Sequence, residues 1–249
     1  MKVRKVAFVS DIHAPYHDPS AVELTLKILT DVKPDVLFFG GDIVDCYAVS
    51  DFDRDPQRVV RFQDEFDCAI DIMAKMRRTA KSGLFLPGNH CRRWERFIHR
   101  HPELSSLRNS TISEQLQLRK LGIGLLTHGE DYKIGDLFYM HGDESAGGGV
   151  FPARSFYLKE QGNCIFGHWH KMQVFYNRLK DGTTHGSFAN GCLCLLKQEY
   201  VKGTTQWQQG FSIIHYYGEK FRVEQVCFFS DKRKLYGAYG GELYETRLR

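Results

Sequence analysis

The sequence lacks the features that would assign a chain at once to a membrane, repeat or disulfide-stapled class. No stretch of about 18 uninterrupted apolar residues is present, so no membrane-spanning helix is predicted. The apolar run near the N-terminus stops at Ser10-Asp11 without a small-residue cleavage site, which indicates a first strand rather than a signal peptide. No linker, repeat or low-complexity segment appears, and we predict a single domain over residues 1–249.

Cysteine content and net charge exclude few further classes of protein. The seven cysteines are an odd number without framework spacing, which indicates reduced thiols and a cytoplasmic protein. Cys192 and Cys194 alternate on an apolar run, but no second Cys or His pair follows at zinc-finger spacing, so a structural role is favoured over a metal site. The formal net charge of +4 permits nucleic-acid binding without arguing for it, because an electrostatic footprint depends on clustering rather than on totals.

Hydrophobic periodicity predicts alternating strands and helices in the N-terminal half. Strands are predicted over residues 3–10, 36–39 and 83–86, and a helix over residues 20–31 joins the first two. A second helix is predicted to start at Asp55-Pro56 and to run to about residue 80, and a third runs through Trp94, Phe97 and Ile98. The strand–helix–strand order predicts a parallel pair.

Beyond about residue 121 the pattern changes to short strands and turns. Strands are predicted over residues 137–140, 164–166, 172–179 and 187–195. Residues 211–217 and 221–229 are predicted to form a hairpin. The N-terminal half is therefore predicted to be α/β and the C-terminal half β-rich.

Polar side chains follow five of the predicted strands at the point where each strand ends. Ligands bind at the carboxyl ends of strands in open α/β sheets, and adjacent glycines let the backbone turn sharply there. Carboxylate oxygen with neutral imidazole suits divalent ions such as Mn, Fe or Zn. The segments are Asp11-Ile12-His13, Gly40-Gly41-Asp42, Gly88-Asn89-His90, Met140-His141-Gly142 and Gly167-His168-Trp169-His170.

The ordered set resembles the calcineurin-like metallophosphoesterase family, whose pattern is DxH, GDxxD, GNH, a strand-end His-Gly and GHxH. The second motif is completed here by Gly41-Asp42-Ile43-Val44-Asp45. The resemblance covers about residues 3–195. It implies an α/β (α+β) fold, a four-layer β-sandwich flanked by helices, with a dimetal site at the C-terminal ends of the strands.

The resemblance also implies a role for each motif residue. His90 would be the general acid, and Asp45 would orient a ligand from behind it. Two divalent metal ions are implied, Mn²⁺ first, with Fe, Zn, Ni or Mg as other choices. The implied ligands are Asp11, His13 and His170 for one ion, Asn89, His141 and His168 for the other, and Asp42 as the bridge.

The mechanism expected from this resemblance is hydrolysis of a phosphoric ester. Two ions about 3.5–4 Å apart clamp the attacking and leaving oxygens of an in-line displacement. A hydroxide bridging the metals would attack phosphorus, and His90 would protonate the leaving alkoxide. The positive charge left after pairing with Asp11 and Asp42 suits a phosphate group.

Three features leave alternatives open. Thr127-His128-Gly129 also contains His-Gly, but His141 follows the clearer strand and is preferred as the ligand. Cys91 stands where many family members carry an acidic residue, and it is either a packing residue or a redox-sensitive one. Residues 147–149, three glycines in a row, form either a mobile lid or a flexible loop.

The helix after His90 begins with a run of arginines. Arg92, Arg96 and Arg100 are spaced four apart on one stripe, opposite Trp94 and its apolar neighbours. The stripe is either a solvated face or a phosphate-binding surface in which Arg92 and Arg96 contact substrate. The second reading favours a substrate with more than one phosphate, such as a nucleic acid or dinucleotide.

We therefore expect a metal-dependent phosphoesterase, with phosphodiester, nucleotide or nucleic-acid substrates slightly favoured. The alternatives are a phosphomonoesterase or phosphoprotein phosphatase and, less favoured, a non-catalytic metal-binding scaffold. Cys46-Tyr47 after Asp45 argues against a Ser/Thr protein phosphatase, since those members carry Arg-Gly there. No membrane partner is expected, and the sequence leaves the oligomeric state open.

Overall fold

A computed structural model describes residues 4–51, 61–144, 149–197 and 205–249 of the chain. Two mixed β-sheets with flanking helices make up this part, which confirms the predicted fold class. None of the helices in these ranges is long and apolar enough to cross a membrane.

The first sheet carries the parallel strands predicted from the N-terminal half. Its strands are β1 (Arg4–Val9), β2 (Val36–Phe39), β3 (Ser82–Phe85), β4 (Ile123–Leu125), β10 (Gly210–Tyr217), β11 (Lys220–Ser230), β12 (Lys234–Tyr239) and β13 (Glu242–Arg247). Their order is β13-β12-β11-β10-β1-β2-β3-β4. β1 to β4 are parallel, and β10 pairs antiparallel with β1. The last part of the described chain is thus hydrogen-bonded to the first strand.

The second sheet is built from the middle of the chain. Its strands are β5 (Tyr132–Ile134), β6 (Leu137–Tyr139), β7 (Cys164–Phe166), β8 (Gln173–Arg178) and β9 (Thr184–Ala189), in the order β5-β6-β7-β9-β8. β6, β7 and β9 are parallel, whereas β5 and β8 are antiparallel to their neighbours.

Helices flank the two sheets, and the first of them has a clear capping arrangement. They are α1 (Pro19–Val32), α2 (Phe62–Arg77), α3 (Cys91–Arg100), α4 (Ile112–Gln115), α5 (Leu118–Leu121) and α6 (Pro152–Glu160). At the start of α1 the Asp18 carboxylate accepts from the backbone N–H groups of Ser20 and Ala21, and Pro19 occupies the first turn. Lys33 ends this helix in the left-handed region.

Apolar clusters separate four layers. α1 and α2 bury their apolar faces, including Ile28, against the first sheet. Between the sheets Phe38 stacks on Tyr139 with ring centroids 4.6 Å apart. On the outer face of the second sheet Phe156 of α6 stacks on Phe166 at 4.1 Å. Each such buried aromatic side chain stabilises the fold by roughly 1.5–3 kcal/mol.

The continuous apolar run of β1 follows from its position between two layers. Ala7 and Val9 face the helices, while Val6 and Phe8 face the second sheet. A strand covered on both faces needs apolar residues at every position, so it shows no alternation. The carboxyl end of β1, which carries the first motif, is therefore set in a rigid, doubly covered layer.

Several predicted boundaries differ from the observed ones. The predicted strand over residues 187–195 is wrong beyond Ala189, because the chain there crosses toward β1, where Leu193 N–H donates to the Asp11 carbonyl at 3.0 Å. Residues 55–60, the first part of the second predicted helix, and residue 3 of the first predicted strand lie outside the described residues. α6 and strands β4, β5, β12 and β13 were not predicted.

Candidate metal centre

The predicted site residues lie at the carboxyl ends of strands from both sheets. Asp11 and His13 follow β1, Asp42 follows β2, and Asn89 follows β3. Because β1, β2 and β3 are parallel, these ends meet at one edge of the first sheet. His141 follows β6, and His168 and His170 follow β7. Those parallel strands place the three histidines at the facing edge of the second sheet.

The backbone at these strand ends is strained. Asp11, His13, Asp42, His168 and His170 all have positive φ, between 51° and 65°. A residue with a side chain rarely adopts this region, and such strain persists where surrounding structure imposes it.

Two glycines leave the space that the site carboxylates fill. A Cβ on Gly88 would lie 2.2 Å from Asp42 Oδ1, and one on Gly167 would lie 2.4 Å from Asp11 Oδ2. Both contacts are too short for any side chain, so glycine is required by the close approach of the carboxylates.

Asp11, His13 and His170 form one buried cluster of potential ligands. Asp11 Oδ1 lies 3.3 Å from His170 Nε2, and the two Nε2 atoms of His13 and His170 are 3.2 Å apart. Both Asp11 oxygens also accept from the backbone N–H of His168 at 3.0 Å. This hydrogen bond ties the end of β1 to the loop after β7.

Asp42, His141 and His168 form a second cluster, next to Asn89. His141 Nε2 lies 3.1 Å from Asp42 Oδ2 and 3.1 Å from Asn89 Oδ1. Asp42 Oδ1 accepts from the backbone N–H of His90 at 2.9 Å. Asp42 also groups with His13 and His90, with ligand atoms within 4.8 Å of one another. Asp42 therefore lies between the two clusters.

The proton arrangement at His141 shows that this donor set suits a cation. His141 Nδ1 lies 2.8 Å from the Gly40 carbonyl, which can only accept, so Nδ1 carries a proton. In a neutral His141 the Nε2 lone pair then faces the oxygens of Asp42 and Asn89. Three acceptors at this separation suit a cation among them, either a proton on Nε2 or a metal ion.

His13 shows the same arrangement in the other cluster. Its Nδ1 lies 3.0 Å from Asp45 Oδ2, so the proton sits on that nitrogen and Nε2 faces His170 and Asp11. Carboxylate oxygen, amide oxygen and neutral imidazole are the ligands that Mn, Fe and Zn accept. Both clusters therefore fit divalent metal ions.

The electrostatics of the metal-free protein follow from this crowding. Burial opposes charge on His141, but the Asp42 carboxylate outweighs it and raises the pKa of His141 to about 10. Burial likewise opposes charge on His170, yet Cys192 and Asp11 raise its pKa to about 9. Burial would raise the pKa of Asp42, but His141 and His90 hold it well below the usual range. For His13 burial prevails and lowers the pKa.

His90 lies at the edge of the constellation, where its side chain is 12% exposed. Its Nδ1 lies 2.8 Å from the Asp45 backbone carbonyl, and its Nε2 is 3.9 Å from Asp42 Oδ2. Asp45 thus contacts His13 through its carboxylate and His90 through both its backbone carbonyl and its carboxylate. Burial would raise the pKa of the Asp45 carboxyl, but hydrogen bonds with both histidines lower it.

The other sequence candidates lie outside the two clusters. His128 Nε2 pairs with Asp143 Oδ1 at 2.8 Å, so His141 rather than His128 reaches Asp42. Cys91 is buried under α3, and burial raises the pKa of its thiol. Two of the three glycines at residues 147–149 lie outside the described residues.

The three arginines of the stripe pair with two aspartates. Arg92 Nη1 lies 3.6 Å from Asp143, and Arg96 Nη2 lies 3.8 Å from Asp51, which also pairs with Arg100. Trp94 and Ile98 face the core as expected. A substrate contact for Arg92 and Arg96 stays a prediction.

Two residues near the site were missed by the sequence reasoning. Arg93 contacts both His90 and Asp45. The spacing of three from His90 to Arg93 was a usable signal, since residues three apart share a helix face. Cys194, interpreted only as structural, places its sulfur 3.9 Å from His170 Nδ1. It reaches the site through the crossing of the chain after β9, which no local pattern shows.

Comparison with known proteins places this site in a family. The calcineurin-like phosphoesterase family matches residues 4–180 of the chain. No curated protein sequence matches it.

Several solved structures share the fold at low sequence identity. Vps29 from Chaetomium thermophilum is similar with a TM-score of 0.50 and 9% identity, over 99% of this chain and 100% of that one. Wild-type Vps29 from Entamoeba histolytica complexed with Zn²⁺ has a TM-score of 0.46 and 14% identity, covering 98% of this chain and 97% of that one. Yfce, a phosphoesterase from E. coli, has a TM-score of 0.43 and 14% identity, covering 98% and 100%.

Proposed function

The chain belongs to the calcineurin-like phosphoesterase family, and we propose that it is a two-metal hydrolase of phosphoric esters. The observation that carries this proposal is the position of Asp42. Its carboxylate groups with His13 and His90 on one side and with His141 and His168 on the other. A carboxylate shared in this way suits a bridge between two divalent ions.

The residues that would hold the ions divide between the sheets. Asp11, His13 and His170 would hold one ion, and Asn89, His141 and His168 the other. Mn²⁺ is the first choice, and Fe, Zn, Ni or Mg match the same oxygen and nitrogen donors. When bound, the ions would neutralise phosphate charge and activate water at neutral pH.

His90 supplies the proton that the leaving oxygen needs. Its Nδ1–H is held by the Asp45 carbonyl, so the ring presents Nε2 to the site. His90 is also partly exposed, whereas His13 and His141 are buried among other ligands. These contacts support a role as general acid rather than as ligand.

The substrate we favour is a phosphodiester, a nucleotide or a nucleic acid. Support comes from α3, which begins right after His90 and carries the exposed arginines of the stripe. Additional phosphates of such a substrate would meet positive side chains beside the metal centre. A monoester has no additional phosphate to place on these exposed arginines.

The test is hydrolysis by protein reconstituted with Mn²⁺. Bis-p-nitrophenyl phosphate should be cleaved faster than p-nitrophenyl phosphate, and an alkyl ester with a poor leaving group should be cleaved slowly. In His90→Ala, turnover of the alkyl ester should fall about 10²–10⁴-fold, because an acid assists a poor leaving group most. Metal content, measured by elemental analysis, should be unchanged.

Two outcomes would contradict the proposal. Full alkyl-ester turnover in His90→Ala would remove the acid from the mechanism. Absence of hydrolysis of every ester, with two ions bound per chain, would favour a metal-binding scaffold over an enzyme.

A further inference from the structure

The four arginines of α3 differ sharply in where they lie. The side chains of Arg92, Arg96 and Arg100 are 48%, 51% and 62% exposed, and each pairs with an aspartate. The side chain of Arg93 is only 12% exposed and points toward the metal centre, where it contacts Asp45. Arg93 is therefore the arginine of this helix that the fold turns inward.

Arg93 uses its two terminal nitrogens on different partners. Nη1 donates to the Asp45 backbone carbonyl at 3.1 Å and to Asp45 Oδ1 at 3.3 Å. Nη2 lies 3.1 Å from His90 Nε2. A guanidinium group can only donate, so His90 Nε2 accepts this hydrogen bond through its lone pair. His90 Nδ1, facing the Asp45 carbonyl, carries the ring proton.

This arrangement conflicts with the step proposed for His90. The ring nitrogen that would face the leaving oxygen, His90 Nε2, is already occupied by the Arg93 guanidinium at 3.1 Å. Arg93 Nη2 must therefore leave His90 before the reaction. Nη1 can keep its contact with Asp45 meanwhile, so the guanidinium can reorient without leaving the site.

We infer that Arg93 binds a non-bridging oxygen of the substrate phosphoryl group, exchanging its contact with His90 for one with substrate. The planar guanidinium fits phosphate oxygens, and such charge-assisted hydrogen bonds are among the strongest in proteins. The ligand class is a tetrahedral phosphoryl oxyanion. The inference rests on the proposed function, because the metal centre would hold the same phosphoryl group.

Inorganic phosphate tests the inference without turnover. It would be titrated calorimetrically into the Mn²⁺-loaded protein, wild type and Arg93→Gln. The glutamine amide keeps a donor for the Asp45 carbonyl but removes the charge and the fork. Phosphate should bind roughly ten- to hundred-fold more weakly to the variant, as expected for loss of a charged hydrogen bond. Metal content should match the wild type.

Matched variants separate the possible explanations. Arg93→Lys, which restores the charge without the fork, should recover part of the affinity. Arg119→Ala, an exposed arginine of α5, should bind phosphate as the wild type does. Unchanged affinity in Arg93→Gln with full metal content would overturn the inference, as would a larger loss in Arg96→Ala. Because binding is read directly, failure of the proposed hydrolysis would leave this result interpretable.

Discussion

The central carboxylates and the central imidazoles come mainly from different sheets. Asp11 and Asp42 follow strands of the first sheet, whereas His141 and His170 follow strands of the second. Each carboxylate meets an imidazole across the junction, at 3.1 Å for Asp42 and His141 and at 3.3 Å for Asp11 and His170. All four side chains are buried.

This division makes the site depend on both sheets. A buried carboxylate without a partner is costly, as is a buried imidazolium. Either half alone would leave such a group uncompensated, so packing of the two sheets and assembly of the ligand set are coupled. In the metal-free protein the compensation comes from protons on the second-sheet histidines, which explains their raised pKa values.

The groups that contact Nδ1 of the candidate ligand histidines also differ between the two sheets. His13, from the first sheet, is backed by the Asp45 carboxylate at 3.0 Å. His170, from the second, has the Cys194 sulfur at 3.9 Å from its Nδ1. Sulfur is a weak acceptor compared with a carboxylate. His13 is therefore held more firmly than His170.

Replacement of Asp42 should have the largest effect on the site, because this carboxylate lies between the two clusters. Asp42→Asn removes the charge that both clusters share, so metal affinity should fall in both and hydrolysis should fall at least about 10³-fold. Elemental analysis and kcat/KM on bis-p-nitrophenyl phosphate check these expectations.

Asp45→Asn is the matched control, since it removes a carboxylate that backs a ligand. Its metal affinity should fall only about 10–100-fold. Equal losses in the two variants would show that Asp42 has no bridging role.

When the metal is removed, protons on the buried histidines should compensate the buried carboxylates, so the unfolding free energy should depend on pH. A histidine with a raised pKa in the folded state stabilises fully below its unfolded value of 6.5, and this contribution is lost as pH rises toward about 9 for His170 and about 10 for His141. Between pH 6.5 and 8.5 His141 should remove about 1.4 kcal/mol of unfolding free energy per pH unit. His170 should add less, because the Cys192 thiol beside it, whose pKa Cys194 and His170 lower against burial, loses its proton over the same range.

Urea unfolding at pH 6.5, 7.5 and 8.5 in EDTA measures this loss. His13 and His168, whose pKa values burial lowers, contribute their change below pH 6.5 and do not mask it. Protein saturated with Mn²⁺ should show no such decline, because its imidazoles are already neutral. A flat profile in EDTA would refute the compensation.

Glu65 tests how α2 supports the part of the site that follows the strands of the first sheet. Its buried carboxylate accepts from the backbone N–H groups of Tyr47 and Ala48, in the turn that follows Asp45. Burial raises the pKa of Glu65 to about 7. A carboxyl group with a raised folded pKa loses stability as pH rises from about 4.5 to about 7. Glu65→Gln should abolish this loss, so its stability relative to wild type should improve by up to ~3 kcal/mol over that range.

The comparison uses urea unfolding of both proteins at pH 5 and pH 8. Taking the difference between them cancels the titration of the shared histidines. Glu130→Gln, at an exposed position, serves as the control and should not show this improvement. A constant difference between Glu65→Gln and wild type would contradict the prediction.

Sequence patterns predicted the parts of the fold with strong periodicity. β1, β2 and α1 were predicted within two residues, because their apolar runs and caps are local. The antiparallel pairing of β10 with β1 and the junction of the two sheets were not, since both depend on contacts between distant segments. That residues 1–249 form a single domain, and that the protein is cytoplasmic, stay predictions.

The strand-end positions of the candidate site residues were also predicted from local patterns. Motifs at strand ends place Asp11 and Asp42 because strand direction is local information. Arg93 was missed because its role depends on how α3 is set against Asp45, and Cys194 because a non-repetitive crossing brings it to His170. The roles assigned to the motif residues stay predictions until the variants are measured.

Cys194→Ala gives the smallest expected effect and sharpens the contrast between the halves. If His170 binds metal through Nε2, its Nδ1 proton must find an acceptor, and the Cys194 sulfur lies 3.9 Å away. A weak acceptor contributes little, so metal affinity should fall less than the 10–100-fold expected of a strong partner. Competition with a chelator measures it, with Cys164→Ala as the control, a buried thiol that donates to Ser187. A loss as large as that of Asp45→Asn would show that both imidazoles are held equally firmly, and the asymmetry would disappear.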